Sequence, residues 1–187
     1  MNAINYIGNC RNLIDCDSLL EELKSKEGVS RTIETPYGRG SDLTQNVDAL
    51  CMYNAWKDAG YIDANCVEWI NFYPETEFSS NYIDLLSKFL GIIPKNVWIS
   101  SIKPGKCVPW HWDIEQNADE WSKEGSLTRY TVFIDTPKLG HVFVADNQCF
   151  YLIEQGSMYK WKNWKDWHLG FNCGFEQKYM LHIVGVE

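Results

Sequence analysis

The chain reads as a mainly β protein with helices gathered in its N-terminal half, closing as an antiparallel barrel or jelly roll. Three observations carry this. From Val97 onward, short runs rich in Val, Ile, Phe, Tyr and Trp recur between turn signals such as Pro104-Gly105 and Gln155-Gly156, the spacing of strands in an all-β sandwich or barrel. Before that point, apolar residues recur instead at helical spacing. The length, 187 residues, fits one domain: residues 1–96 as a helical support region with one or two strands, and residues 97–187 as the β core.

Taken in order, residues 1–40 predict one short helix. Asp17-Ser18 can cap it, Ser18 and Glu21 have capping-box spacing, Leu19, Leu20 and Leu23 form its apolar face, and Gly28 ends the pattern. Residues 35–40 read as loop. A second helix is predicted over residues 44–59, with Val47, Leu50, Cys51, Asn54 and Ala55 as its buried stripe and Gly60 as its stop. Residues 66–73 are aromatic and branched and read as a strand closed by Pro74. A third helix spans residues 80–90, with Tyr82, Ile83, Leu86, Phe89 and Leu90 inward and Gly91 after it. These stripes predict core, not ligand contacts. Strands follow at 97–103, 107–113, 127–135, 141–145, 149–153, 158–161 and 177–186, with a polar loop over 114–126. On the 127–135 strand, Arg129, Thr131 and Phe133 share one face.

Composition narrows the function. With 45% hydrophobic and 22% charged residues, the chain has ordinary globular composition. A formal net charge of −8 and no basic stripe argue against nucleic acid as a partner. Seven cysteines, an odd number with no C-x-x-C pair, argue against a disulfide framework or zinc ribbon and for a reducing compartment. No signal-peptide pattern or bilayer-length apolar run is present, so a soluble cytoplasmic protein is expected.

One stretch carries chemistry: Pro109-Trp110-His111-Trp112-Asp113. In a strand, alternate side chains share a face, so His111 and Asp113 can reach one metal ion together. A lone His-x-Asp is near chance in so acidic a chain, and a surface pair beside a turn is its plain alternative. A third ligand is required, and His168 is better placed than His141, which follows a turn glycine, or His182, which lies deep in the last strand and reads as a hydrogen-bonded core histidine. Two imidazoles and one carboxylate form the facial set of non-haem Fe(II) oxygenases.

The segment Ser101-Ile-Lys-Pro-Gly-Lys-Cys-Val-Pro-Trp-His111-Trp-Asp113 resembles the first metal-binding strands of the 2-oxoglutarate/Fe(II)-dependent dioxygenases. The segment from His168 through Asn172 to Lys178 is similar to their closing signature: a distal His, an Asn four residues on, and a basic residue ten on. Between them, Arg129-Tyr-Thr-Val-Phe-Ile is similar to the Arg-containing strand of the aspartyl/asparaginyl and prolyl hydroxylase-like branches. The resemblance spans about residues 97–184. It implies a double-stranded β-helix (a cupin-like jelly roll) with His111, Asp113 and His168 on Fe(II), and 2-oxoglutarate and O₂ as co-substrates. It further implies oxidative decarboxylation of the oxo acid to succinate and CO₂ as a small molecule or a peptide or protein side chain is hydroxylated. The distal co-substrate carboxylate falls to Lys178. The family usually has Arg there, and Lys is a less directional point charge, so Arg129 is a second candidate anchor.

Each residue also has a plainer role open to it. Lys178 could face solvent, Arg129 could form a structural salt bridge, and Asn172 could cap a turn rather than orient a ligand. Trp110, Trp161, Trp164 and Trp167 could line a substrate mouth or be core, whereas Trp112 should point away from the metal as packing. The acidic loop could be a lid over the iron or merely solvated. At the level of function, two alternatives stay open: a cupin-like metalloprotein not using 2-oxoglutarate, and a non-catalytic β-barrel.

Overall fold

The computed structural model describes residues 3–33, 47–61, 66–113, 115 and 117–187. The expected loop over residues 35–40 lies outside them. Eleven strands and four helices follow one another as β1 (Ile4–Asn9), α1 (Cys16–Lys24), β2 (Val29–Thr32), α2 (Val47–Asp58), β3 (Glu68–Phe72), α3 (Asn81–Leu90), β4 (Ile93–Ile102), β5 (Lys106–His111), α4 (Ala118–Trp121), β6 (Leu127–Phe133), β7 (His141–Ala145), β8 (Gln148–Tyr151), β9 (Ser157–Trp161), β10 (His168–Asn172) and β11 (Lys178–Val186). A seven-stranded sheet, ordered β1-β9-β6-β11-β4-β3-β2, faces a four-stranded one, ordered β5-β10-β7-β8. All named strand pairs are antiparallel. This is the double-stranded β-helix expected from the chain.

Strand alternation divides the large sheet's residues between two cores. On its outer face, Val97, Ile99, Tyr130, Val132, Leu181 and Ile183 pack against Leu19 and Leu23 of α1 and Ile83 and Leu86 of α3. Its inner face looks at the small sheet: Phe133, Trp161 and Met180 meet Phe143, Ala145 and Phe150. Arg129, Thr131, Lys178 and His182 occupy the same inward positions as Phe133 and Met180, and all four are buried. The inner layer is thus apolar except where these polar residues gather. A third core of Trp56, Val67, Trp69, Ile102 and Val108 seats α2 beside β5.

The helices correct several expectations. The cap of α1 is Asp15, whose carboxylate accepts from the amides of Asp17 and Ser18 at 3.1 Å each. Ser18 Oγ donates to that same carboxylate, so it cannot serve as the cap itself. Gly28 does not end α1. It lies beyond it at φ +62°, where a Cβ would come within 2.5 Å of Ile70. The stripe assigned to α2 is out of phase: Leu50, Cys51, Asn54 and Ala55 are exposed, and Met52 and Trp56 are buried. Phe89 of α3 is also exposed, whereas Ile83 and Leu86 are buried as expected. Strands β1 and β2, at opposite edges of the large sheet, and the strand character of β10 were not anticipated. A short helix, α4, interrupts the expected polar loop.

Candidate metal centre

His111 closes β5 and His168 opens β10, and the two are direct cross-strand partners. Their rings lie 4.1 Å apart between centroids. Asp113 lies just beyond the end of β5, so strand alternation does not place it, contrary to the sequence argument. An ion pair with Arg129 holds its carboxylate there. Asp113 Oδ1 is 3.7 Å from His111 Nε2, and Oδ2 is 3.5 Å from His168 Nε2. Among the described residues, these three form the one group of His, Cys, Asp or Glu side chains whose ligand atoms all lie within 4.8 Å of one another.

The tautomers suit a metal. His111 Nδ1 faces the Pro109 carbonyl at 2.7 Å and His168 Nδ1 faces the Asp166 carbonyl at 3.1 Å. A carbonyl can only accept, so each Nδ1 carries the proton and each Nε2 presents its lone pair, the usual outer-shell arrangement of a ligating histidine. Burial lowers both pKa values, that of His168 well below the ordinary value. The neighbouring His111 and Arg129 push His168 further the same way. Neutral imidazole is the form that binds metal. The donor set therefore fits a divalent ion of the iron type.

Trp56 braces this corner from α2. Its Nε1 donates to the Trp110 carbonyl at 2.7 Å, and its ring stands edge-on to His111. It was missed in the sequence because the helical stripe was set one position off. The Met52–Trp56 spacing was the available signal. Trp112 packs edge-on against Trp167, and Trp110 and Trp167 are partly exposed. Trp161 is buried inside the barrel rather than at a mouth.

Across the interior from β10, on the inner face of the large sheet, β11 begins with Lys178. It is 4% exposed, and its ammonium donates to the Val142 carbonyl at 2.5 Å. Among the described residues no carboxylate pairs with it within 4.0 Å, and burial pushes its pKa down to about 7. Gly170 lets β10 pass close to it, since a Cβ there would lie 3.5 Å from Lys178 Nζ and 3.0 Å from Ile102. A buried cation with no carboxylate partner suits an anionic group. Asn172 takes the turn role: its Nδ2 donates to the carbonyls of Ile102 and Glu176, and its Oδ1 accepts from the Gly174 amide. His182 is the core histidine expected, held between Ser100 and Thr131 and stacked on Trp98. His141 is tied to the Glu176 carbonyl, away from the triad.

Arg129 is 1% exposed. Besides Asp113, its guanidinium reaches His168 Nε2 at 3.4 and 3.5 Å and His182 Nδ1 at 3.2 Å. It lies 4.3 Å over the Trp161 ring.

No family model and no curated protein matches the chain by sequence. Solved structures do. The viral collagen prolyl hydroxylase of Paramecium bursaria Chlorella virus-1, in its 2OG complex, superposes with a TM-score of 0.54 at 13% identity, over 100% of this chain and 97% of that one. AviO1 of Streptomyces viridochromogenes Tue57 gives 0.48 at 12% identity, over 100% and 90% of the two chains. A Pseudomonas putida prolyl-4-hydroxylase gives 0.40 at 11%, over 92% and 100%. The viral enzyme's likeness establishes the fold alone: the chain shares the double-stranded β-helix of that enzyme.

Proposed function

We propose that the protein is an Fe(II)- and 2-oxoglutarate-dependent dioxygenase that hydroxylates a small metabolite or a peptide or protein side chain. One observation carries the reading. A His-Asp-His cluster whose ligand atoms lie within 4.8 Å of one another shares the barrel interior with a buried lysine that has no carboxylate partner among the described residues. A metal site alone would fit a cupin-like metalloprotein. The lysine adds a reason for a second, anionic ligand inside the barrel.

In this reading His111, Asp113 and His168 hold the iron. Bound there, it supplies the redox chemistry by which 2-oxoglutarate and O₂ oxidise a C–H bond. The chain does the rest. The carbonyls of Pro109 and Asp166 hold the imidazole tautomers. Lys178 pairs with the distal carboxylate of the oxo acid. Phe143, Trp161 and Met180 exclude water from the inner layer, which strengthens the lysine–carboxylate attraction.

The test is anaerobic titration with Fe(II) and 2-oxoglutarate, followed in air by succinate release. We expect a weak visible charge-transfer band and turnover in the wild type, and loss of both in His168→Ala. Undiminished succinate release by that variant would overturn the assigned triad.

A further inference from the structure

Arg129 occupies an unusual position for a structural cation. Its guanidinium contacts two of the three proposed metal ligands on the atoms that would bind the metal: the Asp113 carboxylate and His168 Nε2. A neutral imidazole Nε2 has one lone pair, so His168 cannot accept from Arg129 and coordinate a metal at once. Arg129 Nε has no acceptor among the described residues although it is buried, so the side chain is not fully locked where it stands. The walls around it also hold a cation. The Trp161 and Trp98 rings lie 4.3 and 5.5 Å from Cζ, within the roughly 6 Å over which a ring face attracts a cation. Glu115 supplies a second negative charge that acts on the guanidinium. Its own carboxylate is held by Asn96 at 3.0 and 3.2 Å. Charge balance can therefore survive the loss of Asp113 to a metal.

We propose that Arg129 is an internal counter-cation that competes with the metal ion. In the metal-free protein it neutralises Asp113 and ties up His168 Nε2. Metal entry displaces it from both, so the free energy of metal binding is reduced by the contacts Arg129 gives up. The idea rests on the triad being the metal site, and it makes Arg129 a positioning residue that sets how readily the site fills.

Mn(II) alone, without oxo acid, is the probe. Binding is followed by the loss of the free Mn(II) electron paramagnetic resonance signal in wild type, Arg129→Met and Arg129→Lys. We expect Arg129→Met to bind at least about ten-fold more tightly than wild type, the scale on which outer contacts tune metal sites. Arg129→Lys keeps the charge but not the fork that spans Asp113 and His168, and should also bind more tightly. A lysine variant equal to wild type would mean that charge alone sets the affinity, which overturns the competition. So would a methionine variant that binds no more tightly than wild type. Should neither variant fold, the wild type still decides the matter: in protein labelled with ¹⁵N-arginine, the Arg129 Nε–H resonance must move on adding Zn(II), and an unmoved signal rejects displacement. Failure of the triad itself would look different, with Mn(II) bound by none of the proteins.

Discussion

Lys178 carries a charge in a place that burial penalises, and the consequences can be measured at that one residue. Its pKa of about 7 in the folded protein lies below the ordinary 10.5. A bound carboxylate favours the ammonium, so 2-oxoglutarate should bind with proton uptake when the pH exceeds 7. Its affinity should fall as pH rises from 7, because the proton must then be taken from a more basic solution. Calorimetry in buffers of different ionisation enthalpy reads the uptake directly, and none should be seen in Lys178→Met. That variant should lose roughly a hundred-fold in oxo-acid affinity, the ~3 kcal/mol of a charge-assisted buried pair, while Mn(II) binding is unchanged. Gly170→Ala tests the close approach of β10: a methyl group 3.5 Å from Nζ should crowd the ammonium and raise the 2-oxoglutarate requirement without weakening metal binding. Wild-type oxo-acid affinity in that variant would show that the co-substrate does not sit between Gly170 and Lys178.

At the scale of the element, α1 is set by its cap. Asp15→Ala removes the carboxylate that receives two first-turn amides and should lower the Tm. The core strands were legible in the sequence because each is bounded by turn residues and filled with branched or aromatic side chains. The α2 stripe was not, because aliphatic periodicity outweighed the larger Trp56, which in fact fills the space between Val67 and Val108. Edge strands β1 and β2 were hidden for a different reason. In Ile4–Asn9 only Ile4 is buried while Tyr6 and Ile7 are both exposed, so this strand, paired on one side only, lacks the in-out alternation that marks a strand in sequence. At the site, the histidines, Lys178 and Arg129 could be chosen from spacing and resemblance. The Arg129–His168 contact could not, because it joins residues of different sheets and no local periodicity encodes it.

For the molecule as a whole, the buried lysine also sets a pH dependence of stability. Between pH 7 and 10.5 the unfolded chain holds the Lys178 proton and the folded one has released it, so unfolding takes up protons and stability rises with pH across that window. Below pH 7 both states are protonated and the full penalty remains. Denaturation of the ligand-free protein at pH 6.5 and 8.5 should show the wild type gaining on Lys178→Met at the higher pH; an unchanged difference between the two would rule out the shifted pKa. No helix among the described residues is long and apolar enough to cross a membrane. The facing of His111 by His168 in the β5–β10 ladder has a kinetic consequence. One stands at position 111 and the other at position 168, and β6 through β9 must be laid down between them. A chelating pair therefore does not exist in any partly formed chain that lacks the β5–β10 pairing. Closing so distant a contact is slow relative to local structure. Metal capture during refolding should accordingly appear only with the last phase in which the small sheet zips shut, making the ion a reporter of ring closure.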